Sequence, residues 1–549
     1  MMMAIILQPV VRRLRGFFIL LALTTLPALP QTPPSSPGLF IIAGKVVNAV
    51  TGEPVRRATV AVLAVEDSRL IASVESGNDG SFALEGLPAA KYQLTASRRG
   101  FLTAFYDEHD EFSTAIVTGE DQETTGLTFR LVPCAQLHGV VTADGGDPVA
   151  GADVMLFLKP HRHNPGERIV EVGSALTDDT GAYEFGYLAV GDYLLAVKAE
   201  PWYALHHSSI NTRPRPANDP SASLDVAYPV TYFDSTTDEA SASPIVLAGG
   251  SRQEADITLH AIPALHLTLA APHAERGEVM PMLRQTIFGA KVFTESLASP
   301  PDPRQETVEF TGIAPGYYEI ERAEPNIVEL DAAVSQQVDT AQVTPTVELS
   351  GTLQTSSGLS LKDEVTVTLE PLDSARRQAP IQTIYSQGAF SFPKVTAGNW
   401  ELWAESQGRQ LPIASITAGS RTHPGNRVTV QDRPLTVVVT VSQAETRIEG
   451  FARLEGKGVS GVMLVLVPKD RSAFRSLARR DQSDSDGSFA LRDVVPGQYT
   501  VVAIQDGWNL DWAQPEVIGR YLPRGVPVTI TETSEKLIRL SEPVPVQAR

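Results

Sequence analysis

The chain has 549 residues which, at about 150 residues per domain, predicts between three and four domains rather than one core. Its net charge of −19 disfavours nucleic acid as a partner, because an acidic surface repels phosphate backbones. The single cysteine, Cys134, excludes an intrachain disulfide framework and a cysteine-rich zinc site. With 42% hydrophobic residues, 41 glycines and 40 prolines, the composition indicates a globular, turn-rich chain.

The N-terminal segment has the three parts of a secretory signal peptide. Three arginines within 12–15 precede an apolar run over 16–26, which ends at a Pro-Ala pair. The run is shorter than the ~20 residues of a membrane-spanning helix, with an uncleaved anchor as the alternative. We therefore predict a signal peptide over 1–30 and a Pro/Ser-rich spacer over 31–38. The mature protein is expected to be exported, without a membrane span, to the periplasm, the cell surface or the outside of the cell.

One phrase recurs along the chain. It contains a tight Asp-Gly-type turn, an alternating strand, a second turn and a strand that opens with an aromatic residue. In four copies the turn glycine precedes that aromatic residue by 12 positions: Gly80 and Tyr92, Gly181 and Tyr193, Gly388 and Trp400, Gly487 and Tyr499. A fifth, degraded copy has Tyr318 with Glu306 in place of the glycine. The repetition predicts a series of strand–turn–strand units.

The segments around each phrase complete a module. Two strands rich in β-branched residues precede it and a closing strand follows, and about seven short strands in roughly 100 residues are typical of a β-sandwich. We predict an all-β fold of about five tandem Ig-like or prealbumin-like sandwich modules. Their predicted bounds are 39–133, 135–261, 262–345 (a degenerate copy), 346–444 and 445–549. The stretch 472–480 is the candidate for a short helical turn and is interpreted as a polar loop.

The repeats resemble the carboxypeptidase regulatory-like domain family. The matching motifs are the opening Gly-x-Val (44–46), the Gly-x-Pro-Val turn (52–55), the Asp-x-Gly-x-Tyr turn (179–183) and the Gly-x-Tyr strand (497–499). The resemblance implies a transthyretin-like or prealbumin-like sandwich, a fold shared with carbohydrate-binding-like domains and stalk repeats. In carboxypeptidases such a module accompanies a zinc peptidase domain. The sequence contains no such domain, so the resemblance implies no peptidase activity.

Motifs for catalysis or cofactor binding are missing from the sequence. It contains no His-Glu-x-x-His, Gly-x-Ser-x-Gly or phosphate-binding Gly-x-x-x-x-Gly-Lys motif. The acidic run 481–487 is read as turn chemistry, with weak surface calcium binding as the alternative. We expect a non-catalytic protein without a cofactor or metal site.

In each repeat, the strand that opens with Tyr or Trp is called the Tyr strand. Aromatic residues that follow this strand offer a candidate ligand site. Trp202 and Tyr203 in module 2, and Trp508 and Trp512 in module 5, fall where a sandwich has loops. Flat aromatic faces hold sugar rings by stacking on their C–H groups, so these four residues are the candidate carbohydrate-binding residues. The alternative is that they cap the hydrophobic core.

Three functional hypotheses follow from the sequence. The first is an exported, non-catalytic scaffold or binding protein of the cell envelope, with an envelope protein or polysaccharide as its partner. The second is a carbohydrate-binding protein that uses the loop aromatics. The third is an accessory or regulatory subunit of an exported enzyme.

Overall fold

The structure is a computed structural model. It describes residues 39–160, 168–206, 220–270, 282–295, 307–321, 327–338, 344–355, 358, 361, 364–372, 380–407, 409–442, 446–531, 534 and 536–549. The predicted signal peptide and spacer lie outside the described residues. Strands dominate the described part of the chain, and the all-β prediction is confirmed.

The first group of strands forms sandwich 1. One sheet has the order β4-β1-β8, and the other has the order β3-β2-β5 with β6 and β7 also paired to β5. Its core contains Phe82, Leu94 and Phe129. The strands are β1 (Phe40–Asn48), β2 (Thr59–Ala64), β3 (Leu70–Glu75), β4 (Ser81–Leu87), β5 (Lys91–Ser97), β6 (Ala104–Phe105), β7 (Ile116–Val117) and β8 (Leu127–Leu131).

Sandwich 2 repeats this arrangement with longer connections. Its strands are β9 (Ala135–Ala143), β10 (Asp153–Leu158), β11 (Val170–Leu176), β12 (Ala182–Leu188), β13 (Gly191–Lys198), β14 (Val226–Ala227), β15 (Thr231–Tyr232), β16 (Ile245–Leu247), β17 (Arg252–Glu254), β18 (Ile257–Leu259) and β19 (Ile262–Pro263). Short 3-10 helices lie at Pro220–Leu224 and Glu239–Ser241.

Sandwich 3 corresponds to the degenerate copy and still has a core of its own, around Phe310, Tyr318 and Ile320. Its strands are β20 (Leu265–Ala270), β21 (Met282–Ile287), β22 (Lys291–Glu295), β23 (Thr307–Ile313), β24 (Gly316–Glu321), β25 (Ile327–Ala332) and β26 (Gln336–Gln337).

Sandwich 4 has two five-stranded sheets around Trp400 and Phe392. Its strands are β27 (Thr346–Thr355), β28 (Val365–Pro371), β29 (Ile381–Tyr385), β30 (Phe390–Thr396), β31 (Gly398–Ser406), β32 (Arg409–Leu411), β33 (Ile413–Ala418), β34 (Arg421–Pro424), β35 (Arg427–Val430) and β36 (Leu435–Val441).

Sandwich 5 adds helical turns to the same plan. Its strands are β37 (Arg447–Leu454), β38 (Lys457–Gly458), β39 (Met463–Pro468), β40 (Arg479–Gln482), β41 (Ser488–Leu491), β42 (Gly497–Ile504), β43 (Val526–Ile530), β44 (Leu537–Arg539) and β45 (Val544–Gln547). Its helices are α1 (Phe474–Leu477), α2 (Pro515–Ile518) and 3-10 turns at Arg471–Ala473, Gly507–Asn509 and Leu522–Arg524. The interpretation of 472–480 as a polar loop is wrong, because α1 buries Phe474 and Leu477.

One topology is common to all five sandwiches. In each, the first strand pairs antiparallel with the strand after the tight turn and parallel with a closing strand. In sandwich 1, β1 runs antiparallel to β4 and parallel to β8; in sandwich 4, β27 runs antiparallel to β30 and parallel to β36. The degenerate sandwich 3 has the same pairing of β20 with β23 and β26. The exact boundaries between modules stay a prediction.

The aromatic residue that opens the Tyr strand makes the same bond in every sandwich. Its polar hydrogen is donated to the backbone carbonyl four residues earlier, as in the tyrosine corner of β-sandwiches. The five bonds are Tyr92 to Pro88 (3.1 Å), Tyr193 to Ala189 (2.9 Å), Tyr318 to Ala314 (2.8 Å), Trp400 to Thr396 (3.1 Å) and Tyr499 to Val495 (2.7 Å).

A buried hydroxyl clamp recurs in sandwiches 1, 2 and 5. In sandwich 5, Ser483 Oγ donates to the Val459 carbonyl at 2.7 Å and accepts from the Val462 amide at 2.9 Å. Ser76 and Thr177 form the same pair of bonds in the other two sandwiches. Each of these hydroxyl-bearing residues lies four positions before the turn glycine. Its two bonds therefore connect the start of the tight turn to the segment that follows the first strand of the sandwich.

Polar contacts also join different sandwiches. His206 Nδ1 of sandwich 2 and His266 Nε2 of sandwich 3 contact the two carboxylate oxygens of Asp225, at 3.0 and 2.7 Å. Arg168 of sandwich 2 places Nε 3.2 Å from Glu370 Oε2 of sandwich 4. Residues 39–549 accordingly form one compact unit.

Candidate functional site: a cavity between sandwiches 1, 4 and 5

Sandwiches 1 and 5 are in direct contact, although the contacting residues are about 370 positions apart in sequence. The tight turn of sandwich 5 meets the β7 edge of sandwich 1: the Ser485 amide donates to the Ala115 carbonyl at 2.9 Å, and the Val117 amide donates to Ser485 Oγ at 2.8 Å. Lys91 Nζ lies 2.6 Å from Asp484 Oδ2. We call this contact the 1–5 clasp.

The clasp explains the acidic run 481–487. Its Asp484 side chain bonds to Lys91 and to the Ala115 amide, and Asp486 accepts from the Ser488 amide inside the turn. Among the residues that the structure describes, no group of three or more His, Cys, Asp and Glu side chains is arranged to hold a metal. Through its own hydrogen bonds, the run acts as a turn and as a docking element.

Arg480 inserts an almost fully buried side chain, 5% exposed, into an aromatic cluster beside the clasp. Its guanidinium carbon lies 4.7 Å from the ring centroid of Trp512, 5.1 Å from Phe112 and 5.8 Å from Trp508. Arg480 Nη1 also lies 2.8 Å from Asp110 Oδ2. Stacking of a cation on several desolvated rings stabilises such a cluster.

The two candidate tryptophans of sandwich 5 thus share one partner. Trp508 is half-buried, stacks on His109 at 5.1 Å between ring centroids, and donates from Nε1 to the Gly461 carbonyl at 3.1 Å. Trp512 is buried, with 4% exposure. The structure brings both residues together around Arg480, between sandwiches 1 and 5.

The other two candidate residues lie on sandwich 2. Trp202 is 92% exposed, and its ring packs edge-on against Tyr203 with 5.7 Å between centroids. Neither lines the cavity described below. They form a separate aromatic pair in which Trp202 is exposed and Tyr203 is half-buried.

A buried ion pair joins sandwich 4 to sandwich 5. Glu401 of β31 has no exposed side-chain surface, and its Oε2 lies 2.8 Å from Arg475 Nη1 of α1. Burial raises the pKa of Glu401, although the Arg475 charge opposes that shift. Nearby, Gly425 has a positive φ of 80°, and a Cβ there would lie 2.6 Å from Ser476 Oγ. Glycine is required here because the β34–β35 turn approaches α1 closely.

An open cavity of about 1110 Å³ lies between sandwiches 1, 4 and 5. Its lining combines arginines, acids, amides and aromatic rings. The residues used below are Gln382, Trp403 and Asn426 of sandwich 4, and Arg447, Arg475, Arg479, Asp481 and Trp512 of sandwich 5. Sandwich 1 contributes Lys91, Glu111 and Phe112.

Two carboxyl groups of the cavity lining have raised pKa values. Burial raises the pKa of Asp481 to about 7, although the Ala490 amide bond to its Oδ2 opposes the shift. Burial also raises the pKa of Asp484, against the opposing effect of Lys91. The cavity wall therefore holds a carboxyl group that titrates near neutral pH.

Sequence reasoning missed most of this lining. Trp403 was not a candidate, yet it lines the cavity and its Nε1 donates to Glu370 Oε2 at 3.1 Å. Asn426 and Arg447 lie in different sandwiches and carry no local motif. The one available signal was the outward parity of Trp403 in a strand whose Trp400 and Leu402 point into the core.

The fold and the cavity define a protein of tandem β-sandwiches that pack as one unit. Residues 41–132 match the sequence model of the carboxypeptidase regulatory-like domain, which confirms the resemblance for sandwich 1. Residues 447–519 match the BOS complex subunit NOMO1-like, second beta sandwich domain. No curated protein matches the chain in sequence.

Solved structures that resemble the chain do so at low identity. The Bacillus anthracis TIE protein is 9% identical, with 94% of this chain and 75% of that one covered and a TM-score of 0.16. A streptococcal ancillary pilin is 11% identical (55% and 98% covered, TM-score 0.19). A putative carbohydrate binding protein from Pseudomonas aeruginosa is 20% identical (18% and 89% covered, TM-score 0.12). Scores this low carry no conclusion about function. In the described residues, no helix is long and apolar enough to cross a membrane.

Proposed function

We propose that this protein is an exported, non-catalytic binding protein of the cell envelope, in which sandwiches 1, 4 and 5 jointly hold a ligand in the cavity between them. The observation that carries the proposal is the 1–5 clasp, since it brings together walls from different sandwiches around an open cavity of about 1110 Å³. Ligand pockets typically measure about 300–1,000 Å³ and lie at domain interfaces.

The lining supports binding rather than turnover. Lys91 and Asp484 pair with each other, Arg480 pairs with Asp110, and Arg479 donates to the carbonyls of Asp493, Ser476 and Ala478. Side chains held in this way present a fixed surface that can orient a ligand. The same packing of sandwiches suits a scaffold role, in which the partner is an envelope protein or polysaccharide.

A thermal-shift screen of the intact chain against soluble fragments of envelope polysaccharides and peptides tests this proposal. Ligands are expected to raise the melting temperature of the natural protein. They should not raise that of the Gln382→Trp variant, whose indole occupies cavity space. Tyr187→Ala, an exposed change in sandwich 2, is the matched control. A response that Gln382→Trp leaves unchanged would place binding outside the cavity and contradict the proposal.

A second candidate function is carbohydrate binding by the loop aromatics. The observation that favours it is the 92% exposure of Trp202 beside Tyr203, because an exposed ring is available for stacking on a sugar. Glycan-array binding that is lost in Trp202→Ala supports it. Trp508→Ala and Trp512→Ala form the second arm, with a melting curve to separate lost binding from a disrupted Arg480 cluster. Unchanged array binding in all three variants would contradict this second function.

A further inference from the structure

The outer face of one sheet of sandwich 4 presents neighbouring polar side chains to the cavity. Because Val367, Leu402 and Ala404 are buried, the residues that alternate with them along β28 and β31 point outward. The strand register aligns six outward residues in two adjacent rows, which we call the sandwich 4 face: Gln382, Thr368 and Trp403 in one row, and Thr366, Glu405 and Gln410 in the other. With strands about 4.8 Å apart, each row of three residues spans about 10 Å.

The polar side chains of this face are accessible to a ligand. Thr366, Gln382, Glu405 and Gln410 are exposed, and Thr368 is half-buried. Within the described part of the chain, none of these five side chains forms a hydrogen bond or an ion pair with another residue. Hydroxyl and amide groups both donate and accept hydrogen bonds, as sugar hydroxyls do. A sugar can therefore bond to this face without breaking a bond inside the protein.

Trp403 adds an aromatic ring of fixed orientation to the face. The indole is half-buried, and its Nε1 donates to Glu370 Oε2 at 3.1 Å. Glu370 is itself held by Arg168, whose Nε lies 3.2 Å from the same oxygen. These contacts anchor the polar edge of the indole before any ligand arrives. A flat apolar ring beside hydroxyl and amide groups suits stacking on the C–H groups of a sugar.

A smaller cavity of about 260 Å³ lies against the same face. Among the described residues, its lining belongs to sandwich 4 alone. It shares Thr368, Trp403, Glu405 and Gln410 with the larger cavity, so one wall serves both compartments. Two compartments along one sheet face suit an extended chain of sugar rings better than a single ring.

The charges around the face do not select an ionic ligand. In the described residues, the lining of the larger cavity contains as many acidic as basic side chains, six of each. On the sandwich 4 face itself the charged side chain is the exposed Glu405. An acidic ligand would be repelled by this carboxylate, whereas a neutral sugar can donate hydroxyl hydrogen bonds to it. The face therefore favours an uncharged ligand that is rich in hydroxyl groups.

We propose that the sandwich 4 face binds an extended, uncharged, β-linked oligosaccharide, with one sugar ring stacked on Trp403 and hydroxyl groups bonded to Thr366, Gln382, Glu405 and Gln410. The inference rests on the proposed function and names the ligand class of the same cavity. A β-1,4-linked glucan is a flat ribbon that can follow a sheet, whereas an α-1,4-linked glucan is curved.

Calorimetry of the intact chain with cellohexaose tests the inference, with maltohexaose as the α-linked match and hexagalacturonic acid as the charged one. Cellohexaose is expected to bind at least about tenfold more tightly than either. Trp403→Ala should weaken its binding about tenfold or more, because the stacked ring is lost. Thr366→Arg should block the face from an exposed position, and melting curves check that both variants remain folded.

Two variants away from the face are the matched controls. Thr436→Arg places the same side chain at an exposed position on the opposite sheet of sandwich 4. Trp202→Ala removes the exposed tryptophan of sandwich 2. Both variants should bind cellohexaose as the natural protein does. Binding that is lost in Trp202→Ala and kept in Trp403→Ala would assign the sugar to the loop aromatics and overturn the inference.

The remaining outcomes separate this inference from the proposed function. Equal binding of the three sugars, or cellohexaose binding that Thr366→Arg leaves unchanged, would overturn the ligand class or its site. Absence of cellohexaose binding would also overturn the inference, while peptide hits in the thermal-shift screen that Gln382→Trp abolishes would still support a binding function for the cavity. Screen hits that Gln382→Trp leaves unchanged would contradict the proposed function itself.

Discussion

The indole Nε1 of Trp400 donates to the carbonyl oxygen of Thr396 at 3.1 Å, and this bond is the counterpart of the one that tyrosine makes in the other four sandwiches. Tryptophan replaces tyrosine without loss of the bond, because both side chains carry a donor at the far end of a flat apolar ring. The feature that the five sandwiches share is therefore a hydrogen bond rather than a residue type. Removing this bond should destabilise whichever sandwich loses it.

Tyr499→Phe deletes this bond in sandwich 5. We expect the free energy of unfolding of that sandwich to fall by about 1–2 kcal/mol, because the 2.7 Å bond is buried and the Val495 carbonyl loses its donor. Hydrogen exchange of the β42 amides measures the change locally. Tyr187→Phe, at a 66% exposed tyrosine, should have no effect, and an equal loss in both variants would contradict the explanation.

Ser483→Ala removes the hydroxyl clamp that joins the tight turn to the Val459–Val462 connection. Two buried bonds are lost and the Val462 amide is left without its acceptor, so a destabilisation of about 2 kcal/mol is expected. Denaturant unfolding followed by tryptophan fluorescence provides the measurement. Ser73→Ala, at an exposed serine of β3, is the control, and a clamp variant as stable as this control would show that the bonds are dispensable.

Lys91 and Asp484 should be energetically coupled across the 1–5 clasp. Lys91→Met leaves the mostly buried carboxylate of Asp484 without its cation. Asp484→Asn removes the negative charge that pairs with Lys91. A double-mutant cycle on thermal stability is expected to give a coupling of about 1 kcal/mol, with the double variant more stable than Lys91→Met alone. Additive effects would mean that the two charges do not stabilise each other.

Asp481 should make stability fall as the pH rises. Its folded pKa of about 7 lies above the ordinary aspartate value of 3.8, so the folded state holds a proton that the unfolded state has released. The free energy of unfolding therefore decreases between about pH 4 and pH 7, by at most about 4 kcal/mol. Asp481→Asn should be more stable than the natural protein at pH 8 and should match it at pH 4. A stability difference that is the same at both pH values would contradict this titration.

Arg480→Gln should disrupt the aromatic cluster. The change removes a buried cation from Phe112, Trp508 and Trp512 and leaves Asp110 without its partner, so we expect a loss of roughly 2–3 kcal/mol and a shifted tryptophan emission. Arg453→Gln removes an exposed arginine that lies 5.3 Å from the Phe451 ring and should cost less than about 1 kcal/mol. Similar losses in the two variants would argue against a special role for burial.

The fold was predictable from the sequence because its determinants are local. The spacing of 12 between a turn glycine such as Gly80 and its aromatic partner Tyr92 sets both a hairpin and a buried ring, and each repeat carries that information within a few residues. Even the hydroxyl clamp could have been read from Ser76, Thr177 and Ser483, which share one place before the turn glycine.

The candidate site was only partly predictable. Trp508 and Trp512, four residues apart, lie in one aromatic patch, but the patch surrounds Arg480 and contacts sandwich 1. Cavity residues such as Asn426 and Arg447 are brought together by the relative placement of whole sandwiches. That placement depends on surfaces hundreds of residues apart, which no local pattern in one sequence encodes.

The 1–5 clasp also determines when the edge of sandwich 1 becomes protected. The Ala115 and Val117 amides find their partners in Asp484 and Ser485, residues synthesised 369 and 368 positions later. At about 5–20 residues per second, that interval is roughly 20–70 s of synthesis. An unpaired strand edge is a template for association with another chain. During those seconds the first sandwich carries an open edge, so a chaperone that covers β7 would have its greatest effect before the last sandwich emerges.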